Sequence, residues 1–451
     1  MLKPSKKPLL LAIFIIAALW VLPSRSHAAP GDIVRVSVAS DGTEGNDYSD
    51  DATISADGRY IAFSSRASNL VSGDTNDRDD IFVRDTQTNT TSRASLSSTS
   101  AEADSDSQNP AISGDGRFVT FESSATNLVG SDTNNARDVF LHDRQTGQTT
   151  RVSISSGGSE GDGESRFPAI SADGRYIAFR SAATTLVPND TNNEYDIFVH
   201  DTQTGQTTRV SIASDGTEAN DYSTDLDISA DGRFVTFDSV ATNLVSNDTN
   251  SRRDVFVHDT QTGQTSRVSV ASDSTEGNWN SEYPAISADG RFVTFSSEAT
   301  TLVADDENGT TEDIFLHDTQ TSTTTLISRA DDGSKGNSDS RYPNISDDGR
   351  FISYQSSANS LTPEETHDEE NVFLYDQHLN TTKLISVTLL GNGTDYEAIL
   401  PVVSGNGQFI AFGSSEPNFV SGDNNDELDV FVYENNVLNF SNHVYIPFII
   451  K

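Results

Sequence analysis

Residues 168–179 read PAISADGRYIAF. Short apolar runs flank an Asp173-Gly174 pair. That pattern predicts two antiparallel strands joined by a tight turn, because glycine supplies the positive φ the turn needs. The same core returns at Ser55–Arg59, Ser113–Arg117, Ser229–Arg233, Ser287–Arg291, Ser346–Arg350 and Ser404–Gln408. The turn glycines Gly58, Gly116, Gly174, Gly232, Gly290, Gly349 and Gly407 step by 58 residues, with a single step of 59. Seven copies of one unit therefore fill most of the 451 residues.

Working outward through the third copy, the sequence predicts four strands. Strand a covers Pro168–Ser171, strand b Arg175–Phe179, strand c Asp196–Asp201, and strand d Thr207–Ile212 after a Thr-Gln-Thr-Gly turn. Period-two alternation and β-branched and aromatic residues mark each run, and no segment of the mature chain carries a helical period. A four-stranded unit at this spacing, repeated seven times, is the signature of a seven-bladed, all-β propeller. The chain starts with a strand d: Val34–Asn46 matches the segment around Val210–Asn220 with no a, b or c before it, and the seventh copy has a, b and c but no d. The N-terminal strand is thus expected to complete the last blade and close the ring, leaving no open edge.

Units reading P-x-I-S-x-D-G-R-[FY]-[IV]-x-F…D-[IV]-F-[VL]-x-D resemble the WD40-like PD40 repeats of TolB-type propellers, from Ile33 to about Asn436. The resemblance implies a propeller fold but no single activity, since such propellers serve as scaffolds, as gates and as parts of enzymes. A complete TolB has an α/β domain ahead of its propeller, and that domain is expected to be absent here.

The first 29 residues carry Lys3, Lys6, Lys7 and Arg25 and no acid, around the apolar run Leu9–Leu22. That run is short for a membrane span and suits a signal peptide, with cleavage after Ala28. The expected domains are a leader at 1–28, a propeller at 31–436 and a tail at 437–451, with no transmembrane segment in the mature chain. The expected location is secreted, extracellular or in the cell envelope. With 29 basic and 68 acidic residues, the surface repels nucleic acid and attracts cations and basic partners. Cysteine is absent, so packing and hydrogen bonds alone must hold the fold.

In propellers of this connectivity the b–c and d–a loops share one face, and here both are acidic. The b–c loop repeats Asp-x-Asn-x-x-x-Asp as Asp74, Asn76, Asp80; Asp132, Asn134, Asp138; Asp190, Asn192, Asp196; Asp248, Asn250, Asp254; and Asp423, Asn425, Asp429. The fifth copy carries an insertion (Asp306, Asn308, Asp313), and the sixth reads Glu365, His367, Asn371. Oxygen ligands at this spacing suit a hard cation such as Ca2+. The competing reading is local: Asx turns, with the last Asp bonding backbone N–H groups at the start of strand c. The EF-hand pattern itself fails, because Asp79 stands where its glycine belongs.

The d–a loop places Glu44, Glu102, Glu160, Glu218 and Glu276 in register, and a serine recurs at Ser49, Ser107, Ser165, Ser223, Ser281 and Ser340. Repetition argues for structure, since an active site needs one asymmetric constellation. Gly157–Gly161 fits G-x-S-x-G but lacks the helix that motif requires, and His142, His200, His258 and His317 share one strand-c position. The expected function is a non-catalytic binding or scaffolding monomer that offers its acidic face to a protein or glycan. The alternative is a glycan-active hydrolase or lyase at the channel mouth, using the divergent segments Glu364–Asn371 and Gly391–Leu400.

Overall fold

A computed structural model describes residues 32–304, 309–364, 366–367 and 369–435. These form 28 strands and no helix. The leader at 1–28 and the tail at 437–451 lie outside the described residues.

The first blade comprises β2 (Ser49–Ile54), β3 (Tyr60–Ser65), β4 (Asp80–Asp85) and β5 (Thr90–Arg93), hydrogen-bonded in that order. Five further blades repeat this order, and the seventh is β26 (Ala398–Val403), β27 (Phe409–Ser414), β28 (Asp429–Glu434) and β1 (Ile33–Arg35). Strand β1 pairs antiparallel with β28, placing Val34 opposite Val432. The ring is closed by the N-terminal strand, as its sequence register predicts.

Two predicted boundaries shift. In the third blade strand a runs Ser165–Ile170, three residues earlier than the alternation suggests, and strand d ends at Arg209. The cause of the first is a bulge that breaks period two between Arg166 and Ala169. Phe167 sits in it at φ 50°, and Asp51, Asn109, Tyr283, Tyr342 and Leu400 repeat that left-handed conformation. In the fourth blade the bulge lies between Ser223 and Leu226.

Seven apolar clusters, each shared by adjacent blades, make the core. Ala62, Ile81 and Val83 of the first blade pack on Ile112, Val119 and Phe121 of the second. Phe409 and Val430 of the seventh pack on Ile61 and Phe63 of the first. Fully buried aromatic pairs such as Phe63–Phe82 and Phe179–Phe198, with centroids 6.0 and 5.9 Å apart, recur in every blade.

The first strands pack on one another in a ring around the axis. Their a–b turns are tied by backbone hydrogen bonds: Ala56 N–H donates to Gly114 O (3.1 Å), Gly114 to Ala172 (3.0 Å), Ala172 to Ala230 (3.0 Å), Ala230 to Ala288 (3.1 Å), Ala288 to Asp347 (3.1 Å) and Asp347 to Gly405 (3.0 Å). Asn406 N–H then donates to Ala56 O at 2.9 Å and completes the circuit. Alanine or glycine at five of the seven donor positions lets the turns approach this closely. One end of the channel is thereby laced together, and the loop end carries the features described next.

Candidate binding surface at the channel mouth

The b–c and d–a loops do share one face. Thr75 N–H donates to Glu102 at 3.0 Å, and Asn76 Nδ2 donates to Ala103 O at 3.1 Å. The predicted loop residues converge, and each set contains a residue the sequence reading missed. Arg93 Nη1 lies 3.3 Å from Asp74, 2.9 Å from Asp80 and 3.2 Å from Glu102. Arg151 does the same for Asp132, Asp138 and Glu160, Arg209 for Asp190, Asp196 and Glu218, and Arg267 for Asp248, Asp254 and Glu276. Arg35, from the closing strand, serves Glu44, Asp423 and Asp429.

The asparagines make Asx turns and cross-links. Asn76 Oδ1 accepts from Arg78 N–H, and Asn76, Asn134, Asn192 and Asn250 donate to Asp80, Asp138, Asp196 and Asp254. Asn425 makes the other two bonds of this set, donating to Gly45 O and accepting from Glu427 N–H. Burial, then repulsion from the buried Asp80, pushes Asp74 up to about 6 against the pull of Arg93. Asp132, Asp190, Asp248 and Asp423 rise to about 6 in the same way.

Where the arginine is lost, the loop glutamate is lost with it, while the fifth blade keeps its buried Asp313. In the sixth blade Leu384 takes its place, Asn371 replaces the buried aspartate and Gly393 the loop glutamate. In the fifth, Leu326 replaces the arginine and Lys335 replaces the glutamate, so the cation moves to the other partner. Asp306, Asn308 and Glu365 lie outside the described residues.

The other repeated candidates are framework. Ser49 Oγ donates to Ser65 Oγ at 2.9 Å inside the blade, and the pair recurs at Ser107–Ser123 and Ser165–Ser181. His142, His200, His258 and His317 are buried, each with Nδ1 2.9 Å from a threonine hydroxyl of strand d. Gly157–Gly161 sits in a loop held by the Ile154–Glu160 bridge.

Against this framework, five positions at the loop end of each blade vary from copy to copy. Between an aromatic and a serine that recur in every strand b stand Ser64, Glu122, Arg180, Asp238, Ser296, Gln355 and Gly413. The third residue of strand a is Asp51, Asn109, Phe167, Asp225, Tyr283, Tyr342 or Leu400, and its second is equally varied. So are the residues just before strand a (Tyr48, Asp106, Glu164) and strand c (Asp79, Arg137, Tyr195). The register sets Asp50 opposite Ser64 and Ser65 opposite Asp80, so these positions all meet where strand a begins, at the loop end of the channel. The signal was present in the repeat alignment as columns that vary within a nearly constant unit.

The varied side chains bond from blade to blade. Gln108 Nε2 donates to Asp79 at 2.6 Å, Glu122 accepts from Phe167 N–H at 2.8 Å, and Gln355 accepts from Leu400 N–H at 2.8 Å. Arg253 lies 3.4 Å from Glu282, and the Tyr283 and Tyr342 rings are 4.3 Å apart. Burial, then Asp50 and Glu122, pushes Asp51 up to about 7, and burial and Asp225 hold Asp238 well above the carboxylate range. The mouth is therefore acidic at blades one and two, cationic and aromatic at blade three, and apolar at Ile399, Leu400 and Leu428 of blade seven. In the d–a loop that leads into blade seven, Leu389 and Leu390 stand 69% and 85% exposed.

No family model matches the chain, and no curated protein does. Solved structures do. An oligogalacturonate lyase in complex with manganese aligns at TM-score 0.54 and 10% identity over 89% of this chain and 93% of its own. The β-propeller domain of the Trilobed protease from Pyrococcus furiosus, described as an open velcro, aligns at 0.53 and 10% over 86% and 95%. TolB from Acinetobacter baumannii aligns at 0.42 and 14% over 72% of this chain, which spans 63% of TolB's length. At such identities the likeness speaks to the propeller fold alone. Among the described residues no helix is long and apolar enough to cross a membrane.

Proposed function

We propose that this is a secreted binding propeller that recognises its ligand with the varied ring at the loop end of the channel, the acidic loops forming the surrounding wall. The observation that carries this reading is a concentration of variation: five columns that meet at this mouth differ from blade to blade beside strand-b and strand-a columns held nearly constant. A structural role would keep those columns as uniform as the Phe and Ser beside them. Labelled mature protein on glycan and peptide arrays tests it. Retention that Tyr283→Ala with Tyr342→Ala removes, and that Gln203→Ala on the opposite face leaves intact, supports the reading. Retention indifferent to the mouth overturns it.

Catalysis on a glycan at the same mouth is the alternative, favoured by the half-buried carboxyls Asp51 and Asp225, which burial moves toward acid–base use. Product release from a glycan library that Asp225→Asn abolishes would select it. Calcium at the loop clusters is a separate proposal. It is favoured by two sets, Asp190, Asp196, Glu218 and Glu44, Asp423, Asp429, whose ligand oxygens lie within 4.8 Å of one another. A divalent ion there would share its centre with Arg209 or Arg35.

A further inference from the structure

Most arginines at the mouth have a carboxylate partner. Arg137 lies 2.5 Å from Glu122, Arg166 lies 2.7 Å from Glu164, and Arg341 bonds Glu312. Arg180 does not. Its guanidinium carbon lies 4.6 Å from the Phe167 ring centroid and 4.7 Å from that of Tyr195. Its Nε is buried without a hydrogen-bond partner, and among the described residues no group accepts a hydrogen bond from its terminal nitrogens. Glu164 is near enough to feel its charge, but that carboxylate is already bonded to Tyr195 and Arg166. An arginine left without an acceptor in so acidic a protein is held ready by its aromatic neighbours.

We infer that Arg180 is the anion anchor of the mouth, and that it holds the carboxylate of an acidic sugar. A planar guanidinium matches a carboxylate with two parallel hydrogen bonds. The sugar ring is called for by the company Arg180 keeps: Phe167 is 36% exposed and offers an apolar face. Asp225 of the next blade and Asn109 of the preceding one are half-buried acceptors suited to hydroxyl donors. Burial raises Asp225, and Arg180 opposes that rise, which puts the two groups in electrostatic reach.

The inference rests on the mouth being the binding surface, and its test separates the two. Titration calorimetry of the mature protein with D-glucuronate, D-glucose and acetate should show glucuronate binding about 10- to 100-fold tighter than glucose, the range of a lost charge-assisted bond. Arg180→Gln should abolish that preference with an unchanged melting midpoint. Equal binding of glucuronate and glucose, acetate binding as tightly as glucuronate, or an Arg180→Gln variant that keeps the preference would each overturn it. Array retention that depends on Tyr283 and Tyr342 while glucuronate fails to bind would overturn the anchor and leave the binding surface standing.

Discussion

Phe409 of the last blade lies directly over Gly58 of the first: a Cβ on Gly58 would stand 1.9 Å from Phe409 Cδ2. The relation passes around the ring, Tyr60 on Gly116, Phe118 on Gly174, Tyr176 on Gly232, and so back to Phe351 on Gly407. The Asp-Gly turn is thus both a hairpin and a socket for the neighbouring blade's aromatic residue. Gly58→Ala should therefore cost more than Gly205→Ala, although both glycines have positive φ, +75° and +71°, because nothing lies within 4 Å of a Cβ at Gly205. Left-handed backbone alone costs about 1–2 kcal/mol, and overpacking adds about 1–3. Urea unfolding of the two variants measures the difference, and equal midpoints would refute the socket.

Closure depends on a strand three residues long, which brings more than its backbone. Arg35 lies 3.0 Å from the buried Asp429, and Ser37 Oγ donates to the same carboxylate at 2.5 Å. Removing residues 1–37 exposes the edge of β28 and leaves Asp429 without its cation. The truncated protein should melt earlier and self-associate on ultracentrifugation, and a synthetic peptide of residues 30–46 should reverse both. An unchanged midpoint would mean that the ring does not need its clasp.

Stability should peak in mildly acidic solution. Asp74, Asp132, Asp190, Asp248 and Asp423 sit at about 6 in the fold, against about 3.9 in an unfolded chain. Raised carboxyls contribute stability that is complete below pH 4 and lost as pH rises through 6. The opposite set is Asp85, near 2, with Asp143, Asp201 and Asp259 held lower still, mainly by the Arg59, Arg117, Arg175 and Arg233 forks. Their contribution is present above about 4 and lost as pH falls through their folded values. Melting midpoints should therefore be higher at pH 5 than at pH 8 and fall below pH 3. Asp190→Asn should shrink the difference between pH 5 and pH 8.

The fold was legible because duplication wrote it seven times: Asp-Gly turns, a fixed period and an orphan strand d leave little room for another architecture. The bulge at Phe167 was not legible, since a left-handed aromatic contradicts the alternation used to find strands. Arg93 escaped because its distance in sequence from Asp74 hides a meeting that only the blade's strand order creates. The mouth escaped for the opposite reason. Attention to what repeats passes over what does not, and Arg180 is conspicuous only beside Ser64, Glu122 and Asp238 in the same column.

The loop clusters invite one substitution that reports on both stability and cation binding. Arg209 is the single positive charge among Asp190, Asp196 and Glu218, and its side chain is 9% exposed. Arg209→Leu leaves three carboxylates facing one another, and breaking a buried network of this kind costs about 3–5 kcal/mol. The protein's own sixth blade carries the less charged set Leu384, Asn371 and Gly393 and keeps a single acid, Glu365, in the sequence register of Asp190. Adding Asp196→Asn and Glu218→Gly to Arg209→Leu should therefore recover most of the lost midpoint. With the guanidinium gone but the carboxylates kept, the site becomes the oxygen cage that Ca2+ prefers. Ligand binding to the folded state raises the midpoint by mass action. The gap in melting temperature between millimolar Ca2+ and chelator should accordingly be wider for Arg209→Leu than for the unaltered protein, and should vanish in the triple variant. A gap that is the same in all three proteins would place any calcium elsewhere and leave the arginine as a purely structural counter-ion.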